Sequence, residues 1–265
     1  MFIGIGVLAT ALQVYDVFRP DQISRANVPV GLVILALALM YGAIRSWPRP
    51  IRQQYTRPNT GIRIVEGDLF DQSASLVIGM CDTFDTEVPH IIAQNSVQGQ
   101  FLAKVYASDQ KLLDQALKAS LAGASPCGTI AKPGKRTRYP IGTVAVIRHQ
   151  DRRHFYCLAY TEMNEQNEAR ASIGGVWQSL ECLWREVRIS GNGAPVAIPV
   201  IGGGQARLSQ ILPRQDSIRL MALSFMLASR HEKVCDWLDI VVRSEDVSRL
   251  DMLELRDFLK SLEES

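Results

Sequence analysis

Three predicted strands of this chain are each followed by residues that could bind a nucleotide. After the apolar segment Ile62–Val65 come Gly67, Asp68 and Leu69. An aspartate in this position can accept a hydrogen bond from an exocyclic amine, such as that of adenine, while the neighbouring amide of Leu69 supports the ring. A plain turn of the Gly-Asp type explains the same residues equally well. The segment therefore predicts either a base-binding loop or a simple turn.

A longer polar loop follows the next predicted strand, Ser75–Met80, and leads into a helix whose start is marked by Ser96. Short polar side chains in this loop are unsuited to a core, and an aromatic residue between them could stack on a ring. These residues are Asp82, Thr83, Phe84 and Asp85. In the first turn of the helix, free amide N–H groups and the helix dipole favour an anion. The candidate anion-binding residues there are Ser96, Gln98, Gly99 and Gln100.

The third loop begins with three consecutive glycines. Gly202, Gly203 and Gly204 follow the apolar segment Val196–Ile201. Because no Cβ blocks the approach, their backbone amides can converge on a phosphate. The candidate residues that continue this loop are Gln205, Ala206 and Arg207. No Gly-Lys-Ser/Thr follows, so the loop is not a P-loop. We expect a diphosphate held by the backbone, with a mere turn as the alternative.

A fourth polar stretch, Leu158–Arg170, ends another predicted strand. It supplies Thr161 and Asn164 as candidate ligand-binding residues, with Tyr160 and Asn167 in the same run. A solvated start of a helix is the alternative interpretation.

Alternating strand and helix patterns must position these loops. Further strands are predicted at Thr143–Arg148, His154–Tyr160 and Leu238–Arg243. Helices are predicted at Ser96–Tyr106, Gln110–Leu121, Ala169–Val187, Gln215–Arg230 and Ser248–Leu262. Strands that are nearly all apolar, such as VAIPVI, are typical of a sheet covered by helices on both faces. The predicted fold class is α/β, a three-layer α/β/α domain. Ligands of such sheets bind beyond the carboxyl ends of the strands.

Composition excludes several classes of protein. The 265 residues carry a net charge of +2, whereas a dedicated nucleic-acid-binding protein is usually clearly basic. The five cysteines are scattered without a CxxC pair, and the four histidines have no metal-ligand spacing. We therefore expect reduced thiols, no metal and no nucleic-acid partner.

The N-terminal part is far more apolar than the rest. Phe2–Phe18 contains one charged residue and Val28–Ile44 contains none, so residues 1–45 predict a transmembrane helical hairpin. A secretory signal or a buried core helix are the alternatives. The basic residues Arg45, Arg49, Arg52 and Arg57 outnumber Arg19 and Arg25 of the connecting loop. This bias predicts a multi-pass protein of the inner membrane, with a linker at 46–60 and a cytoplasmic domain at 61–265.

These motifs together resemble a known family. GDLF after the first strand, a polar loop after VIGM, and IPVIGGGQARL late in the chain are similar to the macrodomain, an ADP-ribose-binding α/β/α module. The segments TFDTEVPHIIAQNSVQGQF, YPIGTVA and AYTEMNEQNEA resemble, more specifically, the macrodomain of membrane effectors of type II Thoeris antiphage defence. Two membrane helices before such a domain match that architecture.

The resemblance implies a ligand-gated effector rather than an enzyme. A partner TIR-domain enzyme would supply a signalling nucleotide, an ADP-ribose conjugate such as histidine-ADP-ribose, on infection. No cofactor is implied. Binding of that ligand would drive homo-oligomerisation and disruption of the lipid bilayer.

Two alternatives stay open. Catalytic macrodomains carry an asparagine-rich turn and a glycine run where this chain has GMCDTFDTEVPH. A membrane-tethered ADP-ribosyl hydrolase would need Asp82, Asp85 or His90 as its general base. An anchored scaffold with a vestigial nucleotide site is the third interpretation.

Overall fold

The computed structural model describes Met40 and residues 51–149, 153–202 and 212–263. The chain divides into two compact units, Met1–Arg49 and Pro50–Ser265. Apart from Met40, the predicted hairpin at 1–45 lies outside the described residues. Within the described ranges, no helix is both long enough and apolar enough to span a bilayer.

The second unit is built around a mixed sheet whose centre is parallel. Its strands are β1 (Ile51–Tyr55), β2 (Thr60–Glu66), β3 (Ser75–Cys81), β6 (Val144–Arg148), β7 (His154–Met163), β8 (Ala169–Arg170), β9 (Val196–Pro199) and β10 (Trp237–Val242). The strand order is β1-β2-β10-β9-β3-β7-β6, with β8 paired to β7. The five strands from β2 to β7 in this order are parallel, and β1 and β6 flank them antiparallel. A separate small hairpin is formed by β4 (Gly128–Thr129) and β5 (Thr137–Arg138).

Helices cover both faces of the sheet. They are α1 (Val97–Val105), α2 (Gln110–Ser120), α3 (Ile173–Ser190), α4 (Arg214–His231), α5 (Ser244–Val247) and α6 (Met252–Ser261). One apolar core joins the sheet to α1 and α2, with Phe101 and Leu113 fully buried. The other joins it to α3, α4 and α6, and contains Trp184 and Phe225 in edge-to-face contact. The predicted three-layer α/β/α architecture is thus confirmed for the described domain.

The six strands predicted from sequence all coincide with observed strands. Three other predictions need correction. Residues 51–55 are not linker but the edge strand β1, because Ile51 and Tyr55 are buried and the Tyr55 hydroxyl donates to the carbonyl of Leu259 at 2.8 Å. The helix predicted from Ala169 begins at Ile173, because Ala169 and Arg170 pair with β7. The last helix begins at Met252, where Asp251 caps it, rather than at Ser248.

Candidate functional site

A cavity of about 190 Å³ opens at the carboxyl ends of the parallel strands. Its wall runs from Val242 and Arg243 at the end of β10, through Pro199–Ile201 at the end of β9, to Cys81 of β3 and Met163 of β7. The order of the strands in the sheet places these ends side by side. The result is an elongated cleft at the location where open α/β sheets bind ligands.

The N-terminus of α1 forms one wall of this cleft. Ser96 is its N-cap, as the sequence predicts, and its Oγ accepts a hydrogen bond from the amide of Gly99 at 3.0 Å. The amide of Gln100 donates to the carbonyl of Ser96 at 2.9 Å. Ser96, Val97 and Gln98 line the cavity. Because the first amides of a helix have no intrahelical acceptor, those of Val97 and Gln98 face a natural anion position.

Gly99 and Gln100 lie beside the cleft without lining it. A Cβ at Gly99 would come within 2.4 Å of the carbonyl oxygen of Ala93, so this glycine permits close packing of the preceding loop. The Gln100 side chain donates to the carbonyl of Asn95 at 3.2 Å. The Gln98 side chain donates to the carbonyl of Asp85, which ties α1 to the loop after β3.

The glycine loop starts as predicted at the end of β9. Gly202 is buried and has φ of 93°, a conformation that side chains with a Cβ rarely adopt. Its neighbours Val200 and Ile201 line the cavity. The other predicted members of this loop lie outside the described residues: Gly203, Gly204, Gln205, Ala206 and Arg207.

Two arginines and an aspartate near the cleft were missed by the sequence analysis. Arg214, the first residue of α4, pairs with Asp246 of α5, with 3.1 Å between Nε and Oδ2. Arg243 follows β10 and donates to the carbonyl of Asn95 at 3.2 Å. All three residues line the cavity. The sequence signal for the arginines was only a basic residue after a strand and its loop. Such residues are too common to indicate a ligand-binding site.

The acidic residues of the loop after β3 do not line the cavity and are bound to other parts of the protein. Asp85 is buried, and its Oδ2 lies 2.7 Å from Nζ of the equally buried Lys132. Its Oδ1 accepts from the amide of Lys135 at 2.8 Å. The hydroxyl of Thr83 donates to Asp85 at 2.5 Å. These contacts hold the β4–β5 hairpin against the sheet.

The other two residues of that loop have similar roles. Asp82 accepts hydrogen bonds from Arg138 at 2.5 Å and from the amide of Met163 at 2.9 Å. Phe84 is buried edge-on against Tyr139, with ring centroids 5.6 Å apart. Asp82, Thr83, Phe84 and Asp85 therefore have intramolecular partners in the positions where the sequence analysis expected a ligand. Their proposed ligand contacts remain predictions without a supporting contact.

Asp68 follows β2, which lies at the other end of the row of parallel strands from β7. Its Oδ1 accepts from the amide of Phe70 at 2.8 Å, and its Oδ2 forms an ion pair with Lys104 of α1. Burial alone would raise the pKa of this carboxyl. Hydrogen bonds from Lys104 and Phe70, with the charges of Lys104 and Arg243, lower the pKa below its ordinary value of 3.8. Leu69 is buried in the core, so only its backbone is available to a ligand.

A β-bulge shapes the centre of the cleft. Met80 pairs with Ala159, but Cys81 pairs with Thr161, so Tyr160 is the extra residue on β7. Both Tyr160 and Thr161 consequently line the cavity, although adjacent residues of a regular strand face opposite sides. Burial raises the pKa of the Tyr160 hydroxyl to about 12. Thr161 is thus placed where the sequence analysis expected it.

The two asparagines of the fourth stretch both lie in the turn between β7 and β8, but their side chains have different roles. The Asn164 side chain is used within the turn, where its Oδ1 accepts from the amides of Gln166 at 3.0 Å and Glu168 at 2.8 Å. Asn167, by contrast, lines the cavity. Of the residues named in this stretch, Tyr160, Thr161 and Asn167 line the cavity and Asn164 does not, and their contacts with a ligand stay predictions.

Comparison with known proteins agrees with this geometry. The family described as "Thoeris protein ThsA, Macro domain" matches residues 62–243. The Oceanobacillus iheyensis macrodomain with MES bound is 13% identical with a TM-score of 0.53, over 82% of this chain and 99% of that one. The same macrodomain with ADP is 12% identical with a TM-score of 0.52, over 82% and 99%. These structures share the fold. No curated protein sequence matches the chain significantly.

Proposed function

The chain belongs to the Thoeris ThsA macro domain family, and from this premise we propose that its α/β/α domain binds ADP-ribose or an ADP-ribose conjugate. One observation carries the proposal. The cleft runs along consecutive carboxyl ends of parallel strands, with a helix N-terminus on its wall and the glycine loop beginning directly after the wall residue Ile201. A structure with the same fold was solved with ADP.

The row of strand ends suggests how such a ligand would lie. The base would contact Asp68 and the backbone of Leu69 after β2. The diphosphate would lie between the loop beginning at Gly202 and the first turn of α1, where backbone amides can donate to it. Arg214 has a planar set of N–H groups suited to phosphate and lines the same cavity. The distal ribose would then lie toward β7.

The contacts of the acidic residues support ligand sensing over hydrolysis. Asp82 and Asp85, two of the candidate general bases, are each paired with a basic side chain away from the cavity. His90 is exposed and does not line the cavity. Within the described part of the chain, Asp246 is the carboxylate on the cavity wall, and it is paired with Arg214. A base for activating water at the distal ribose would have to come from a rearrangement of these pairs.

We further propose that this domain controls a membrane effector. The apolar segments Phe2–Phe18 and Val28–Ile44 would anchor the chain in the inner membrane with its macrodomain in the cytoplasm. A TIR-domain enzyme would make the ligand, an ADP-ribose conjugate such as histidine-ADP-ribose. Ligand can shift an assembly equilibrium only through different affinities for the resting and assembled states. Binding would therefore favour a homo-oligomer that disrupts the bilayer.

Substitution of Gly202 tests both steps in the full-length protein. In Gly202→Val a β-branched side chain at positive φ would distort the loop and crowd the diphosphate. We expect affinity for ADP-ribose, measured by calorimetry, to fall at least tenfold. Depolarisation of cells supplied with histidine-ADP-ribose should be lost in the same variant.

Gly193→Val is the matched control. Gly193 also has positive φ, 77°, but lies outside the cleft in the loop before β9. Valine at this position imposes comparable backbone strain. Thermal unfolding of the two variants therefore shows how much stability the strain costs, and a loss of affinity in Gly202→Val alone is due to the ligand contact. Wild-type-like ADP-ribose affinity in Gly202→Val would reject the phosphate-loop assignment. Depolarisation without ligand would reject gating while leaving the binding site intact.

A further inference from the structure

A buried polar atom at the β7–β8 end of the cleft has no partner. The side-chain Oδ1 of Asn167 is inaccessible to solvent and makes no hydrogen bond to any described residue. Asn167 is also part of the cavity wall. Buried acceptors are nearly always paired in native proteins, so an unpaired one facing a cavity indicates a missing donor.

The local backbone holds this side chain in place. Asn164 organises the turn through its side chain, and its carbonyl accepts from the amide of Asn167 at 3.1 Å. Asn167 itself has φ of 58°, in the left-handed region that asparagine tolerates better than most residues. The backbone preference explains why an asparagine is accepted here. It does not explain a buried oxygen without a donor, because glycine meets the same backbone demand.

The same cavity wall includes an apolar cluster. Cys81, Ile91, Ile92 and Met163 form a buried cluster. All four line the cavity, as does Ala169 beside Asn167. Among the described residues, this end of the cleft combines an apolar cluster with the polar groups of Thr161 and Asn167, and the Asn167 Oδ1 is the acceptor without a donor. Such a wall suits a group with an apolar body and a single correctly placed donor.

We propose that Asn167 determines specificity for the terminal group of the ligand by accepting a hydrogen bond from it. This inference rests on the proposed function, in which the base lies at the β2 end. The strand order then places the substituent of the distal ribose at the β7–β8 end. The substituent would be one that carries an N–H donor on an apolar body, as an amino-acid conjugate does. ADP-ribose without a substituent has only ribose hydroxyls at this end, which are attached closer to the ring than the N–H of a substituent.

The test compares two ligands on four full-length proteins by calorimetry. The ligands are ADP-ribose and histidine-ADP-ribose. The proteins are wild type, Asn167→Gly, Asn167→Asp and Gln166→Ala. Asn167→Gly removes the acceptor while keeping positive φ accessible, and Asn167→Asp keeps an acceptor. Gln166 is an exposed residue of the same turn that does not line the cavity, so Gln166→Ala controls for changes in the turn.

We expect Asn167→Gly to weaken histidine-ADP-ribose about tenfold, the order of effect of a lost hydrogen bond to a charged donor, and ADP-ribose less than twofold. Asn167→Asp should bind the conjugate at least as well as wild type, and Gln166→Ala should bind both ligands as wild type does. Equal loss of both ligands in Asn167→Gly, or no loss of either, overturns the specificity role. Weaker conjugate binding by Asn167→Asp than by Asn167→Gly overturns the acceptor role. A wild-type protein that binds neither ligand refutes the proposed function itself.

Discussion

Two lysine–aspartate pairs of the domain, each formed by an aspartate that follows a parallel strand, differ in their access to solvent. In the Asp68–Lys104 pair, 34% and 43% of the two side chains are exposed. In the Asp85–Lys132 pair the corresponding values are 1% and 0%. The exposed pair can exchange a partner for a ligand at small cost, because both groups are already partly hydrated. The buried pair cannot lose one member without leaving an uncompensated charge.

This difference in exposure distinguishes an aspartate that is available to a ligand from one that stabilises the fold, although the two look alike in sequence. Asp68 and Asp85 both follow a buried strand and both lie in a polar loop. Asp85 is committed to the β4–β5 hairpin through Lys132 and through the amide of Lys135. Asp68 closes only a local turn and an exposed ion pair. Asp85 therefore has a structural role, whereas Asp68 keeps a carboxylate that a ligand could reach, and its ligand role stays a prediction.

The largest expected effect comes from removing the buried cation. Lys132→Met should lower the free energy of unfolding by about 3–5 kcal/mol, because Asp85 would remain buried without its counter-charge. Chemical denaturation measures this difference.

Lys135→Met is the matched control. Lys135 belongs to the same hairpin segment, but its side chain is 33% exposed and bridges Asp114 at 2.5 Å. Its loss should cost no more than about 1 kcal/mol. Equal destabilisation by the two substitutions would abolish the distinction between the buried and exposed pairs.

A smaller effect is expected on ligand binding when the exposed aspartate is removed. Asp68→Ala should weaken ADP-ribose binding by about 1.5–3 kcal/mol, the range for a hydrogen bond to a charged group. Calorimetry with ADP-ribose and with an analogue whose base lacks the exocyclic amine checks the contact. Wild type should prefer ADP-ribose, and the variant should not discriminate.

Lys104→Met sharpens the same comparison. It frees Oδ2 of Asp68 without touching the carboxylate, so ADP-ribose affinity should be maintained or increased. Loss of affinity in this variant, or equal treatment of the two bases by wild type and Asp68→Ala, would remove Asp68 from the base-binding site.

The smallest effect is the pH dependence of stability contributed by Asp68. Its pKa is lowered in the folded state, so the stabilisation is complete above the ordinary value of 3.8 and is lost as the pH falls through the folded-state pKa. Because the pair is exposed, the contribution should be below about 1 kcal/mol. Unfolding of wild type and Asp68→Asn, compared at neutral pH and at acidic pH, should show the difference shrinking on acidification. A constant difference would mean that the charge of Asp68 does not stabilise the fold.

The layered fold could be predicted because its signals are local. Apolar runs such as VAIPVI and the cap at Ser96 depend on neighbours within a few residues, and both predictions were confirmed. The strand β1 was missed because its central residues are polar, which is typical of a linker. These residues are Arg52, Gln53 and Gln54. Its burial comes from Ile51 and Tyr55, which contact elements far away in the chain.

The cavity-lining residues could be predicted only where their position at the end of a strand or helix decided the outcome. Thr161 and Gln98 reach the cavity wall because each lies at a predicted boundary of an element. The partners of Asp82 and Asp85 could not be foreseen, since Arg138 and Lys132 are 56 and 47 residues away in sequence. Asn164 and Asn167 differ only in turn geometry, which the sequence of the turn does not specify.

The bulge at Tyr160 determines which of the following side chains on β7 point toward the core. Side chains of a strand alternate with a period of two, so one extra residue inverts which of the following positions point inward. Thr161 and Met163 are buried beyond the bulge, while Glu162 between them is exposed. Deleting Tyr160 would thus do more than remove a ring. It would shift the following residues by one position, so that Glu162 would point inward and Thr161 and Met163 would point outward.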